Sequence, residues 1–418
     1  MSQIFKLKNP VKPYGWGSSR WIPELLGRKN PHGEPWAELW MGVHPEGPSQ
    51  VSLEGEDLLL SALINRDPAY YLGEGINRAF GTLPFLYKAL AAEKPLSIQA
   101  HPNRDQAKKG WERENREGLA LNAPNRNYKD PNHKPEILCA LSPFEAMCGF
   151  RTAGEIQRRL EALGELCPDP GPLKTALVQL ISSLDAPGGL KEFIRLLFGF
   201  PRKIKGALSD LVLQRRVLEK NHPEFSAEWR LSAYFAELYP GDPAVIAPLY
   251  LNGINLKPGE AIYLPAGVLH AYVRGFGVEL MANSDNVLRG GLTAKYVDID
   301  ELVGILDFSP FCPEILAPPD PFPVFFNYPV PCREFSLSRW EGAGRESNFS
   351  GDGPFIFMVT RGSLTLSGKN PEEEWILGQG ESAFIPAGIA VRGLSLGGTY
   401  TLYAAGAGET IRAAAGFP

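Results

Sequence analysis

Pro258-Gly-Glu-Ala-Ile-Tyr-Leu-Pro-Ala-Gly267 is echoed by Gln379-Gly-Glu-Ser-Ala-Phe-Ile-Pro-Ala-Gly388. Each copy reads as a turn, a short strand and a second turn. Proline fixes φ and glycine then permits a sharp bend, so the shared Pro-Ala-Gly predicts a tight corner at the strand's end. Two copies predict two β-barrel units of the same kind. They part company five residues after the shared proline, Pro265 or Pro386, where the first copy has His270 and the second has Val391. The first unit is therefore expected to hold a ligand and the second to be structural.

The pattern changes on moving outward from these copies. Residues 1–150 show short apolar runs broken by Pro, Gly and Asn, such as Leu83–Leu90, Leu96–His101 and Pro135–Leu141, which predict mostly β-structure with some short helices. Between 151 and 238 the spacing turns helical: Ile156, Leu160 and Leu163, then Leu173, Leu177, Leu180 and Leu184. The segments Leu190–Leu197, Gly206–Glu219 and Phe225–Leu238 continue it, so four or five amphipathic helices are predicted, punctuated by Pro201 and Pro223. Strand patterns return after Pro240. Ala317–Pro331 is proline-rich and reads as a linker, and strands and turns resume at Cys332. The expected organisation is a metal-binding unit from 1–150 together with 239–316, a helical insert at 151–238, and a C-terminal unit at 317–418 without a metal set. Strands from the N-terminal region are allowed to join more than one barrel. The fold class is mainly β with an α-helical insert.

Composition narrows the function. The chain has 418 residues, 44% hydrophobic and 21% charged, enough to bury a large core without disulfides or a structural metal. A net charge of -5 argues against a nucleic-acid partner. Cys139, Cys148, Cys167, Cys312 and Cys332 are scattered and odd in number, with no CxxC, and read as reduced, buried thiols. The first residues lack the apolar core of a signal peptide and no run is long enough to span a bilayer, so a cytoplasmic protein with no membrane partner is expected.

The chemistry-bearing residues are polar groups in apolar strands. In Ser97-Ile-Gln-Ala-His101, strand alternation puts Gln99 and His101 on one face, able to grip one metal ion. Glu136 enters the apolar run Pro135–Leu141, where an unpaired carboxylate is costly and a metal would neutralise it; the alternative is a buried salt bridge to Lys134. His270, just after the Pro-Ala-Gly corner, supplies a second imidazole. Gln99, His101, Glu136 and His270 form a set suited to zinc and tolerable to manganese, cobalt or iron. Glu279, Asp285, Arg289 and Lys295 form a charged set around Gly290-Gly291, where an arginine fork could meet an anion. Trp16 and Tyr14 are weighed as a sugar-stacking pair against plain core packing, as is Trp36-Ala-Glu-Leu-Trp40.

Taken together, Leu83–Leu90, Lys94–Pro102, Asn127–Glu136, Gly259–Tyr272 and Ser284–Lys295 resemble the type I phosphomannose isomerases, a cupin-fold family. The resemblance implies two cupin-type (jelly-roll) barrels and a helical domain. It implies one Zn²⁺ per subunit on Gln99, His101, Glu136 and His270, and Arg289 as the active-site arginine. Lys134, Glu279, Asp285, Tyr272, Lys295 and Lys88 are implied to line the pocket. The implied reaction is reversible isomerisation of D-mannose 6-phosphate and D-fructose 6-phosphate through a cis-enediolate. Lys134, Glu279 and a zinc-bound hydroxide stand as candidate bases. The implied partner is a small phosphosugar, and a monomer is expected, with a homodimer as the alternative. The rival readings are a non-haem iron cupin oxygenase and a non-catalytic sugar-binding cupin.

Overall fold

The computed structural model describes residues 3–344, 346–368, 373–407 and 411–414. Among these the strands form a ten-stranded sheet, a nine-stranded sheet and a two-stranded ribbon, with all strand pairs inside them antiparallel. The ten-stranded sheet is organised by one long strand, His270–Ala282. Its first half pairs with Phe144–Phe150, and its second half lies between Phe85–Ala92 and Glu136–Ala140. The nine-stranded sheet is built mainly from residues beyond 325, but Phe5–Lys6 joins it by pairing with Ser382–Ile385.

Strand parity explains how charges enter this core. All eight residues of Phe85–Ala92 are buried. Phe85, Tyr87, Ala89 and Ala91 pack in one cluster with Ile137, Cys139, Val278 and Leu280, and with Tyr328, Leu337, Ile356, Met358 and Phe384 of the other sheet. Burying each large side chain stabilises the fold by about 1.5–3 kcal/mol. The opposite parity, Leu90, Ala92, Leu138, Ala140 and Tyr272, makes a separate cluster. Lys88, Glu136 and Glu279 share that second parity, so they point away from the sheet-to-sheet interface and into the first sheet's own interior.

The 153–238 stretch contains six α-helices and one short 3₁₀ turn, not four or five helices. The extra helix arises because Gly206–Glu219 breaks at Leu213–Gln214 into Arg202–Val212 and Arg215–Asn221. These helices share one core with Ile98, Ala100, Ala271, Leu288 and Leu292, so they brace the backs of the segments that carry Gln99, His270 and Arg289. The 13-residue helix Arg104–Arg116 lies within the region read as mostly β. Asn103 and Gln106 cap it reciprocally, each side chain bonded at 2.9 Å to the other's backbone N–H. The stretch read as a linker contains the strand Phe325–Tyr328, paired with Ser336–Ala343.

Candidate metal centre

Three side chains converge in the interior of the ten-stranded sheet. One ligand atom from each of His101, Glu136 and His270 lies within 4.8 Å of the others, and all three residues are buried. Glu136 stands at the start of its strand, opposite Leu264 in the strand of the first repeat copy and opposite Met281 in the long strand. His270 opens the long strand and faces Gln99 in register. The repeat's corner ties the arrangement together: Gly267, at φ 79°, donates its N–H to the His101 carbonyl at 2.8 Å. Only glycine takes this left-handed conformation without steric cost.

The hydrogen bonds orient both imidazoles. His101 Nδ1 lies 2.7 Å from the Asn286 carbonyl and His270 Nδ1 lies 3.0 Å from the Val268 carbonyl. Each Nδ1–H therefore donates outward and leaves an Nε2 lone pair facing the cluster. These lone pairs meet Glu136: His101 Nε2 is 3.4 Å from Oε1 and His270 Nε2 is 3.5 Å from Oε2. Burial and the nearby Lys134 push the His101 pKa down to about 4, which keeps the ring neutral. Burial would raise the Glu136 carboxyl, but Lys134 and the imidazoles outweigh it and hold it well below the usual range. His101 Nε2 and Glu136 Oε2 are buried without a hydrogen-bond partner. Acceptors facing acceptors, with orphaned atoms between them, is the arrangement a divalent cation resolves, and the donor set fits one. Gln99 brings its amide to 3.4 Å from His270 Nε2, and a half turn of the amide presents Oε1 instead.

A second charged group lies along the same interior face. Lys88 sits directly across from Glu279 in the ladder and bonds to it at 2.7 Å; Glu38 is 3.5 Å from the same ammonium. Burial raises the Glu279 carboxyl above its ordinary range, against the lowering pull of Lys88. Glu38 and Trp40 share a strand face, and the indole N–H donates to Glu38 at 2.6 Å while Lys88 lies over the ring at 5.6 Å. Tyr272 is buried, and burial together with Glu279 pushes its hydroxyl well above the ordinary phenol range. Lys134 Nζ is 3.1 Å from Glu136 Oε1, which links this group to the metal cluster.

The remaining candidates lie around these. Arg289 pairs in register with Gln99, makes no ion pair among the described residues, and is half-buried, which lowers its pKa. Lys295 is exposed; partial burial and then the fields of Arg289 and Lys129 lower its pKa, so three cations share one region. Asp285 contacts His44 at 3.3 Å. Burial opposes its ionisation, and the bond from His44 overrides that, so its pKa is lowered. Trp16 stacks on Tyr14 at 5.8 Å and packs against the cluster that contains Tyr272.

Sequence reasoning missed Glu38, His44, Lys129 and Asn286. Asn286 is fully buried, and its side chain bonds the backbone of Lys129, Asp130 and Asn132 while its carbonyl holds His101. Ser284-Asp285-Asn286 reads as turn chemistry, and its buried role depends on contacts distant in sequence. The Trp36–Trp40 segment was readable as core, but Glu38 within it was the sign of something else.

A cupin fold with a buried His-Glu-His cluster and an adjoining lysine–glutamate interior defines the class: a metal-binding cupin. Residues 4–153 match the family described as phosphomannose isomerase type I, catalytic domain. The mannose-6-phosphate isomerase of Escherichia coli K12 is 38% identical over 384 residues, 91% of this chain and 94% of that one. The Macaca fascicularis mannose-6-phosphate isomerase is 33% identical, over 93% of this chain and 95% of that one. Among solved structures, a substituted phosphomannose isomerase from Salmonella typhimurium superposes with a TM-score of 0.89 at 35% identity, covering 98% of this chain and all of that one. A zinc-bound mannose 6-phosphate isomerase superposes at 0.87, also 35% identical, with the same coverage. The chain belongs to the mannose-6-phosphate isomerase family.

Proposed function

We propose that this chain interconverts mannose 6-phosphate and fructose 6-phosphate with one zinc ion held by His101, Glu136 and His270, assisted by Gln99. The observation that carries the reading is the orphaned pair His101 Nε2 and Glu136 Oε2, buried beside the His270 ring in a chain of this family. Bound zinc would supply Lewis-acid stabilisation of oxygen as negative charge develops during enolisation.

The chain's own groups do the rest. Proton transfer between C1 and C2 needs a base near the sugar that can titrate close to neutrality. The candidates are Glu279, raised by burial, and Lys134, set 3.1 Å from Glu136, with a zinc-bound hydroxide as the third. Arg289 carries a fixed positive charge that its surroundings do not neutralise, suited to an enediolate oxygen. Lys88 holds Glu279 in place, and Tyr272, Asp285, Lys295 and Trp16 bind and orient the sugar. No helix among the described residues is long and apolar enough to cross a membrane. A small phosphosugar partner and a cytoplasmic setting complete the reading.

A coupled assay with mannose 6-phosphate tests this directly. The purified chain is expected to produce fructose 6-phosphate. Arg289→Ala is expected to lose turnover by about 10²–10³-fold with its fold intact. Normal turnover in a folded Arg289→Ala chain would refute the role of that residue, and no turnover in the zinc-loaded wild type would refute the assignment.

A further inference from the structure

The segments that carry His101 and Glu136 meet again at one carboxylate, Glu334, two residues ahead of a strand of the other sheet. Glu334 is only 6% exposed, so its charge must be paired where it sits. Its Oε1 accepts from Arg104 Nη2 at 2.5 Å and from His133 Nε2–H at 2.8 Å, and its Oε2 accepts from Cys332 Sγ at 3.1 Å. Burial opposes ionisation, yet the bonds from His133 and Cys332 hold the carboxyl down at about 2, so it stays charged.

The spacing is what matters. Arg104 comes three residues after His101, with Pro102 between, and opens the helix capped by Asn103. His133 comes three residues before Glu136, with Pro135 between. Each lead is therefore short and stiffened by a fixed φ. Behind Glu334 the chain is equally firm. Phe335 is fully buried in the cluster between the sheets, and Ser336 begins a strand of the nine-stranded sheet.

We propose that Glu334 is a positioning residue which clips the Arg104 and His133 leads together, sets the separation of His101 and Glu136, and so lets the C-terminal sheet govern metal affinity in the other sheet. The link to catalysis rests on the isomerase reading; the link to metal affinity does not. The clip faces a cavity of about 800 Å³ lined by Arg104, His133, Pro331, Arg333 and Glu334. Truncating Glu334 therefore enlarges a wet space instead of leaving a dry hole, and the variant is expected to fold.

The test is chelator-competition measurement of zinc affinity on metal-stripped full-length chains, alongside melting of the metal-free forms and steady-state kinetics. Glu334→Ala is expected to weaken zinc binding about tenfold and to lower kcat with KM nearly unchanged, while the metal-free form still melts cooperatively, only a few degrees below wild type. Glu334→Gln keeps an acceptor oxygen and is expected to fall between. Glu381→Gln, which removes an exposed ion pair with Lys6 in the same C-terminal sheet, is expected to match wild type. Zinc affinity and kcat in Glu334→Ala equal to wild type would overturn the proposal. If that variant does not fold, Arg104→Gln and His133→Gln each release one lead; weaker zinc binding in both supports the clip, and wild-type affinity in both overturns it. A wild type that binds zinc without turnover refutes only the isomerase reading, because the affinities still decide the clip.

Discussion

The two repeat copies end in the same three residues and do opposite things. After Pro265 the chain turns through Gly267 at φ 79° and enters a 13-residue strand with His270 at its head, 1% exposed. After Pro386 the same Ala-Gly continues into a short helix, Ala387–Ala390, and Val391 emerges 62% exposed. The interiors differ in the same sense. The C-terminal sheet packs Trp340, Phe349, Phe355, Phe357, Leu364 and Leu402 against one another, with Phe349 and Phe357 edge-to-face at 4.9 Å. The first sheet admits Lys88, Glu136 and Glu279 at interior parity. A scaffold of this kind is indifferent to function. The corner's backbone and a few charged residues at the right parity decide which copy binds an ion.

Removing ligands should break the contrast most severely. His101→Ala and His270→Ala are expected to lose stoichiometric zinc by elemental analysis and to lose turnover by 10²-fold or more, an order expected when a catalytic ion is lost. Lys88→Met comes next. It strands Glu279 and Glu38 as buried carboxylates, and breaking a buried pair in this way costs about 3–5 kcal/mol, measurable by denaturant unfolding. Gly267→Ala is smaller. An L-residue in this conformation costs about 1–2 kcal/mol, and a Cβ there would sit 3.1 Å from the Ile305 carbonyl. Weakened zinc binding in that variant would show that the corner sets the site.

A pH scan sharpens the contribution of the second sheet. Glu334 is held at about 2, below its ordinary 4.5, so the stability it contributes is present above pH 4.5 and is lost as pH falls toward 2. Glu334→Gln should remove that acid-side loss, on the order of 2 kcal/mol, and leave the neutral-to-alkaline limb unchanged. The smallest effect is expected from Val391→His. It places an imidazole at the matching position of the second copy but on an exposed helix end, and it should add no zinc per chain.

Much of this was legible in the sequence because it is local. Strand parity gave Gln99 with His101, and marked Glu136 as a carboxylate in an apolar run. The helical period between 151 and 238 was equally plain. The polar helix Arg104–Arg116 was not, because it buries only Ala107, Gly110 and Glu114 and shows no apolar stripe. The break at Leu213–Gln214 carries neither proline nor glycine. Phe325–Tyr328 is hidden among prolines, which an edge strand tolerates. Glu38, His44, Lys129 and Asn286 act through partners far along the chain, and Glu334 reaches 201 and 230 positions back to His133 and Arg104. No window of sequence contains such pairings.

The most direct check on the claim that His101, Glu136 and His270 share one ion that supports isomerisation is a zinc titration of chelator-stripped protein, followed by mannose 6-phosphate turnover. Activity absent at the start, rising linearly and reaching its plateau at one equivalent per chain, is the predicted result. Full turnover in the stripped protein, or a plateau that ignores zinc, would contradict it.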